Sequence, residues 1–253
     1  MNQVKRLVYE KLIPFAGKIC IGRNKYVNVI YYHDIVTTRG EGCMEMNVEV
    51  FKSQMRYMAE HKIKTLRFDD LNVACAEEFE KDKVLIVFDD GFKSNYYEIF
   101  DFMKDLGIKY NIFLVSGMSG VDPRMLTWEE ARKMHDSSLV GFGAHTYTHP
   151  DMTHLADFDL QHEIMDANDV FKKELGFVPQ DFCFPYGAYS EETLQAVIEC
   201  HVYKRIYTSK MMYSYRQDDA LVMGRTPISN DESISVFEKK LRGYYNVWSS
   251  LIK

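Results

Sequence analysis

From residue 27 to about residue 240, short apolar runs alternate with longer stretches whose apolar residues recur at helical spacing. VNVIYY, KVLIVF, IKYNIFLVS, SLVGFGAH and YKRIYTS have the length and composition of buried strands. Helix patterns lie between them, such as the one that Asn47 would cap and the one that opens with a capping box from Thr127 to Glu130. Such alternation implies a parallel sheet. Seven or so units in roughly 220 residues favour a single-domain α/β fold, a barrel of the β/α type.

The remaining segments fit the same pattern. The sequence predicts short strands at IKTLRF and QDFCF, one further strand at ALVMGRTPI, and helices at DDLNVACAEE, SNYYEIFDFMKDLG, DLQHEIMDANDVFKKELG, SEETLQAVIECH and SISVFEKKLRGYY. The chain contains no internal repeat and no linker rich in Pro, Gly or Ser. We therefore expect one barrel domain over residues 27–253, preceded by a helical extension over residues 1–26.

Composition limits the classes of function. A net charge of −6 and a pI near 5.8 argue against a nucleic-acid partner, because nucleic-acid binders are normally basic. Five scattered cysteines form no CxxC pair, which indicates a reducing compartment and says nothing about the oligomeric state. We find neither the apolar core of a signal peptide nor an 18-residue apolar run. We therefore expect a cytoplasmic location.

The first residues have the pattern of an amphipathic helix. Val4, Leu7, Val8 and Leu12 fall on one side, with lysines flanking them. The pattern favours a helix packed on the domain. The alternative is a peripheral contact with the inner face of the membrane, where the enzyme would act on a lipid-linked precursor.

Two aspartates follow the strongest strand directly. In VLIVFDDGF, Asp89 and Asp90 come after five apolar residues, and like charges at a buried position need a cation or hydrogen-bond donors to compensate them. The dipeptide Asp90-Gly91 alone would indicate an ordinary turn. The carboxyl ends of barrel strands are, however, where catalytic residues gather.

Two further polar clusters also follow strands. His145 and His149 come after SLVGFGA, and FPYG comes after QDFC. Two histidines four residues apart can bind one metal ion, although taken alone they are more often surface or core residues. Together with Asp90 they would form a three-ligand site with open positions. Such an ion lowers the pKa of coordinated water, and Asp89 could then take the proton.

These motifs resemble those of a known family. VFDDGF, HTYTH and FPYG, in this order and spacing, are similar to the motifs of the polysaccharide deacetylases, that is, carbohydrate esterase family 4 with its NodB-homology domain. YYHDI, FKSQMRYM, MLTWEEARKM, ELGFVP and GRTPIS also resemble members of this family. The resemblance extends over roughly residues 27–228 and implies a distorted (β/α)7-type barrel.

The resemblance also implies a reaction and its residues. It implies metal-dependent hydrolysis of N-acetyl groups on the amino sugars of a poly- or oligosaccharide, most often with Zn²⁺, and with Co²⁺, Ni²⁺ or Mn²⁺ as alternatives. Asp89 matches the catalytic base, and Asp90, His145 and His149 match the metal ligands. Thr146 matches the residue that fixes the loop, and Tyr186 matches the residue whose backbone N–H binds the oxyanion.

The chain departs from the family pattern in two places. Many members have an arginine two residues before the motif-three proline, where this chain has Cys183, so Arg225 is the candidate replacement. No histidine follows His201, so the usual general acid is absent. Asp89 could return its proton to the leaving amine, or His33 could supply one. A hydrogen-bonded structural role is the alternative for His33.

Other functions stay open at this point. The same site could hydrolyse an O-acetyl ester or another amide, since the chemistry does not itself select the acyl acceptor. A catalytically silent carbohydrate-binding protein is the alternative of another class, although such a site usually loses its charged ligands first. We expect His154 to be a loop residue without a ligand role, and Trp128 to serve packing. The sequence does not identify the sugar or its linkage.

Overall fold

The computed structural model describes residues 3–20, 27–71 and 83–251 of the chain. Within them, ten strands form one sheet in the order β10-β11-β9-β8-β7-β6-β5-β1-β12, with β4 beside β5, and β2 pairs separately with β3. Their bounds are β1 Asn28–Tyr32, β2 Asp34–Val36, β3 Glu45–Asn47, β4 Lys64–Leu66, β5 Lys83–Phe88, β6 Tyr110–Leu114, β7 Val140–Ala144, β8 Asp181–Cys183, β9 Arg205–Tyr207, β10 Tyr215–Gln217, β11 Ala220–Met223 and β12 Thr226–Pro227.

The sheet is parallel except for the edge pair β10 and β11. Only Gly224 and Arg225 separate β11 from β12, although these strands lie near opposite ends of the strand order. The short connection therefore brings the two ends of the sheet together and curls it into a barrel. The predicted α/β barrel is confirmed.

Helices cover the outside of the sheet, and their bounds are α1 Val48–Glu60, α2 Ser94–Tyr97, α3 Phe100–Asp105, α4 Trp128–Asp136, α5 Asp157–Leu175, α6 Glu191–Glu199, α7 Ile234–Leu241 and α8 Trp248–Leu251. The predicted caps form: the Asn47 side chain accepts from the backbone N–H groups of Glu49 and Val50, and Thr127 and Glu130 complete a capping box. Gly176 ends α5 with a φ of 82°.

Successive residues of each strand face opposite sides of the sheet. In β5, Ile86 and Phe88 pack against the outer helices, whereas Leu85 and Val87 belong to a separate apolar cluster inside the barrel. The interior cluster is completed by alternate residues of the other strands, and its further members include Val29, Tyr31, Phe113, Cys183, Tyr207, Leu221 and Met223. A residue two positions after the last inward-facing residue of a strand therefore also faces inward, at the carboxyl end of the barrel.

The amino end of the barrel is closed by a buried ion pair. Arg205, the first residue of β9, binds both carboxylate oxygens of Asp181, the first residue of β8, at 2.6 Å each. The same guanidinium donates to the carbonyls of Leu71 and Phe68, whose side chains pack inside the barrel. The polar groups at this end are thus used for structure, and the opposite end holds the reactive groups.

Two predictions of local structure need correction. The helix expected over residues 94–107 is two helices, α2 and α3, because the backbone leaves helical geometry at Ile99, whose φ is −130°. The strand expected over ALVMGRTPI is split into β11 and β12 because its halves pair with different neighbours. The helix expected over residues 69–78 lies mostly outside the described part, which lacks residues 72–82; of its described residues, Asp69 and Asp70 belong to the 3₁₀ turn Phe68–Asp70.

The N-terminal helix precedes the barrel as the segments Gln3–Leu7, Val8–Leu12 in π-helical geometry, and Ile13–Cys20. The boundary expected at residues 26 and 27 adjoins residues 21–26, which lie outside the described part, as does the side chain of Val4. The division into an extension and a barrel domain stays a prediction. In the described residues, no helix combines the length and apolarity needed to cross a bilayer.

Candidate functional site

The candidate residues converge because they all follow the inward-facing positions of their strands. His33, Asp89, His145 and Arg225 continue the inner faces of β1, β5, β7 and β11, since each follows interior residues at a spacing of two. The inner positions of β7 are Gly141 and Gly143, where a Cβ would approach the Asn111 and Phe113 side chains within 2.4 and 2.5 Å. Glycine at these two positions therefore leaves room for the interior side chains of β6, directly below His145.

Asp89 and Arg225 form a bidentate ion pair inside the barrel. The guanidinium nitrogens lie 2.6 and 2.9 Å from the two carboxylate oxygens, and Nε donates to the carbonyl of Thr208 at 3.0 Å. The guanidinium carbon is 4.3 Å from the centre of the Tyr31 ring, a cation–π contact. Arg225 is only 1% exposed, so this arrangement fixes both the orientation and the charge of Asp89.

Opposing effects act on the ionisation of Asp89. Burial raises the pKa of its carboxyl, but the nearby Arg225, His145 and His33 outweigh burial and hold that pKa below its ordinary value. The Arg225 pKa is raised, because the attraction of Asp89 outweighs the opposing effect of burial. Asp89 is therefore a carboxylate at neutral pH, which a proton acceptor requires.

Asp90, His145 and His149 form a compact cluster of potential metal ligands. The Nε2 atoms of His145 and His149 lie 3.4 and 3.2 Å from Oδ1 of Asp90. A tetrahedral Zn²⁺ with ligand distances of about 2.1 Å separates neighbouring ligand atoms by roughly 3.4 Å, so these spacings suit one divalent ion. The donor set of two imidazoles and one carboxylate also fits such an ion.

A second group of potential ligands overlaps with this cluster. Asp89, His145 and Cys183 also place one ligand atom each within 4.8 Å of one another. Both oxygens of Asp89 are already engaged by Arg225, and Cys183 is fully buried. The set with Asp90 is therefore the better metal site.

Hydrogen bonding orients His145 for coordination. Its Nδ1 lies 2.7 Å from the carbonyl oxygen of Cys183, which accepts a hydrogen bond from Nδ1–H and leaves Nε2 directed at Asp90. Burial lowers the pKa of His145, but the interactions with the Cys183 side chain and with the Asp90 carboxylate outweigh burial and raise that pKa well above its ordinary value. The cluster thus favours positive charge beside Asp90, as a proton on the imidazole or as a bound cation.

The loop between the two histidines is held by side chains. Thr146 and His149 have φ values of 64° and 67°, and Thr146 Oγ1 accepts from the backbone N–H of His149. Glu163 of α5 accepts from the backbone N–H groups of Tyr147 and Thr148, at 2.9 and 2.8 Å, and from the Thr148 hydroxyl. The Glu163 bonds offset the strain of this backbone and fix the two imidazoles relative to each other.

Tyr186 lies at the rim of the site. Its φ is 57°, its side chain is 69% exposed, and its ring centre is 4.6 Å from that of His149. The following Gly187 has a φ of 63°, and a Cβ there would lie 1.7 Å from the Ser209 hydroxyl, so this turn requires glycine. The loop after β8 thus places the Tyr186 ring against His149, one of the potential metal ligands.

His33 also lies beside Asp89. Its Nε2 is 3.8 Å from Oδ2 of Asp89, and its Nδ1 is 3.0 Å from the carbonyl of Cys43. The bond at Nδ1 fixes the ring and leaves Nε2 to exchange a proton with Asp89 or with a substrate.

The sequence-predicted residues are all placed by the structure. Asp89, Asp90, His145, His149, Arg225 and His33 are brought together, with Tyr186 at the rim. His154 ends a 3₁₀ turn and does not belong to either ligand group, and the Trp128 ring packs edge-on against Phe171. Sequence reasoning missed Glu163, Tyr31 and the Thr208 carbonyl. These residues lie in α5, in β1 and in a loop, and no sequence motif marks them as part of the site. Their contacts become visible only in the tertiary structure.

The chain is similar in sequence to known proteins of one family. Residues 76–204, just over half of the chain, match the family model described as polysaccharide deacetylase. The Bacillus subtilis protein YxkH, which carries the name of the same family, is 25% identical over 211 residues, covering 83% of this chain and 74% of YxkH. A peptidoglycan-N-acetylglucosamine deacetylase of Bacillus cereus is 23% identical over 176 residues, covering 68% of this chain and 60% of that protein.

A solved structure shares the fold. The Streptococcus pyogenes deacetylase PplD, in complex with acetate, superimposes with a TM-score of 0.77 at 20% identity, covering 86% of this chain and 99% of that chain. At this identity the likeness supports the barrel fold alone.

Proposed function

This chain belongs to the polysaccharide deacetylase family, and from that premise we propose that it removes N-acetyl groups from the amino sugars of a poly- or oligosaccharide. The observation that carries the proposal is the ionised, Arg225-bound Asp89 beside the cluster of Asp90, His145 and His149. Hydrolysis by an activated water molecule requires a carboxylate that lies next to the metal site but does not itself bind the metal, so that it can accept the proton of the water.

Asp90, His145 and His149 would hold the divalent ion, with Zn²⁺ as the first candidate and Co²⁺, Ni²⁺ or Mn²⁺ as alternatives. When bound, this ion supplies polarisation of the acetyl carbonyl and a lowered pKa for water. Asp89 takes the proton of the attacking water, while Arg225 keeps that carboxylate ionised and in place. The backbone N–H of Tyr186 donates to the oxyanion that develops on the carbonyl.

The amine leaving group needs a proton when the C–N bond breaks. Asp89 holds the proton taken from water and can return it to the amine nitrogen, so water and amide yield acetate and a protonated amine without another reactant. His33 is the second candidate donor, because its Nε2 lies 3.8 Å from Asp89. A His33→Gln variant separates the two routes: it keeps most of the turnover if Asp89 returns the proton, and loses about 10²-fold in kcat if His33 donates it.

The test of the reaction class is acetate release from chemically matched substrates. We expect release from N-acetylglucosamine oligomers and at least tenfold less from O-acetylated oligomers of the same length. Release from the O-acetyl substrate alone would assign the site to ester hydrolysis. Saturable binding of the oligomers without release from either substrate, in protein shown to contain metal, would indicate a binding protein and contradict the proposal.

A further inference from the structure

The N-terminal helix carries two apolar faces, and only one is used by the domain. On the inner face, Ile13 is buried and the Tyr9 ring lies 5.0 and 5.8 Å from those of Tyr245 and Trp248. A Cβ on Gly17 would fall 1.7 Å from the Tyr244 carbonyl oxygen, so the helix backbone lies directly on the chain beyond α7. These contacts fix the orientation of the helix.

The outer face presents an apolar stripe to solvent. Val8, Leu12, Phe15 and Ile19 recur at intervals of four, three and four residues, and the last three are 55%, 66% and 70% exposed. Five of the thirteen well-exposed large apolar side chains in the described part of the chain lie in this one helix, with Leu7 as the fifth. A patch of this kind marks a surface that binds something.

The charges around the stripe indicate its partner. Lys11 and Lys18 flank it and are exposed, and Arg6 is paired with Glu10, the one acidic residue of Gln3–Cys20. The chain as a whole has a net charge of −6, so positive charge is concentrated here against the overall balance. The groove beside Phe15 is bordered by four basic residues, Lys11, Lys18, Lys239 and Arg242, and by two acidic ones, Glu10 and Glu238, which are paired with Arg6 and Arg242. The groove therefore has an excess of basic residues.

From these observations we propose that the outer face of the N-terminal helix, with Leu12, Phe15 and Ile19 at its centre, docks on an anionic phospholipid surface. Apolar side chains would enter the headgroup boundary while Lys11 and Lys18 contact the phosphates. A second copy of this chain fits less well. A two-fold interface along the stripe would bring the lysines of both copies together, with no unpaired carboxylate on the helix to offset them.

The docking face adjoins the catalytic end of the barrel. The carbonyl of Cys20, the last residue of the helix, accepts from the Tyr213 hydroxyl at 3.4 Å. Tyr213 belongs to the loop that follows β9, and the same loop supplies the Thr208 carbonyl bound by Arg225. A lipid surface on the helix would therefore be close to the loops that border the substrate.

The test is flotation of the full chain with vesicles of phosphatidylcholine alone and of equal parts phosphatidylcholine and phosphatidylglycerol. We expect recovery with the anionic vesicles that falls with added salt, and far less with phosphatidylcholine. The triple variant Leu12→Gln, Phe15→Gln, Ile19→Gln should lose more than tenfold in partitioning. Because these side chains are exposed, its thermal unfolding should match that of the wild type.

Two control variants make the result specific. Val121→Gln changes a 79% exposed apolar side chain elsewhere and should leave partitioning unchanged. Lys11→Glu with Lys18→Glu should weaken binding by at least fivefold per lysine, whereas Lys172→Glu with Lys173→Glu, the same charge change on α5, should not. No recovery with anionic vesicles, equal recovery of all variants, or a dimer in sedimentation equilibrium that the triple variant dissociates would overturn the proposal.

Discussion

The guanidinium of Arg225 binds both carboxylate oxygens of Asp89, at 2.6 and 2.9 Å, from a strand end far from Asp89 in the sequence. The family resemblance of the motifs leads one to expect an arginine two residues before Pro185, where this chain has Cys183. Here Cys183 is fully buried, and its sulfur lies within 4.8 Å of an Asp89 oxygen. The same carboxylate is thus held by a cation that enters the barrel from another strand.

We predict that Arg225→Gln lowers kcat for acetate release by about 10²-fold, because Asp89 then loses its orientation and the charge that keeps it ionised. Arg225→Lys should recover little, since a single ammonium group does not bind both oxygens. Metal content and the unfolding temperature should be measured beside the rate. An unchanged kcat in Arg225→Gln would show that the pair serves stability alone, and an unchanged kcat in Arg225→Lys would show that a single positive charge is sufficient.

The position of the cation should matter more than its strand of origin. We predict that Cys183→Arg in an Arg225→Ala background restores kcat by about tenfold over Arg225→Ala alone, because position 183 also faces Asp89 from the interior. Cys183→Leu in the same background is the matched control and should restore nothing. If both double variants behave alike, cavity filling rather than charge explains the result.

Glu163 is predicted to control the affinity for metal without contacting the ion. Glu163→Gln loses the charge that binds two backbone N–H groups of the loop between His145 and His149, so the loop relaxes. We expect metal affinity to fall by about 10–100-fold, as judged by competition with a chromophoric chelator. Asp159→Asn, four residues earlier on α5 and exposed, should bind metal like the wild type.

The ion pair at the amino end of the barrel should affect stability and not chemistry. Arg205→Leu leaves Asp181 buried without its partner, and we expect the free energy of unfolding in urea to fall by about 3–5 kcal/mol. The double change Arg205→Leu, Asp181→Leu should cost less than Arg205→Leu alone. With folded protein, kcat should stay within twofold of wild type. A tenfold fall in kcat would mean that the two ends of the barrel are coupled.

Much of this site could be predicted because it follows strand ends. Period-two alternation in β5 determines that Asp89 faces inward, and the same rule applies to His145 after β7. The fold was predictable for a similar reason, since apolar strands and capped helices alternate regularly. The split of ALVMGRTPI into two strands was not, because it depends on which neighbours each half pairs with.

The residues that the sequence did not reveal act through tertiary contacts. Glu163 lies in the middle of a helix with no local signal, and its role appears only when α5 packs beside the histidine loop. Arg225 could be named as a candidate but not positioned, because its distance from Asp89 depends on closure of the barrel. The apolar pattern of the N-terminal helix does not tell which of its faces the domain covers. The exposed stripe could therefore be identified only from the structure.

The most direct test of the central claim is acetate release from N-acetylglucosamine oligomers by chelated protein, before and after addition of Zn²⁺ or Co²⁺, with Asp89→Asn measured beside the wild type. We predict no release after chelation, recovery with metal in the wild type, and at least 10²-fold less release by Asp89→Asn with the same bound metal. Equal release with and without metal, or by Asp89→Asn and wild type, would contradict the account.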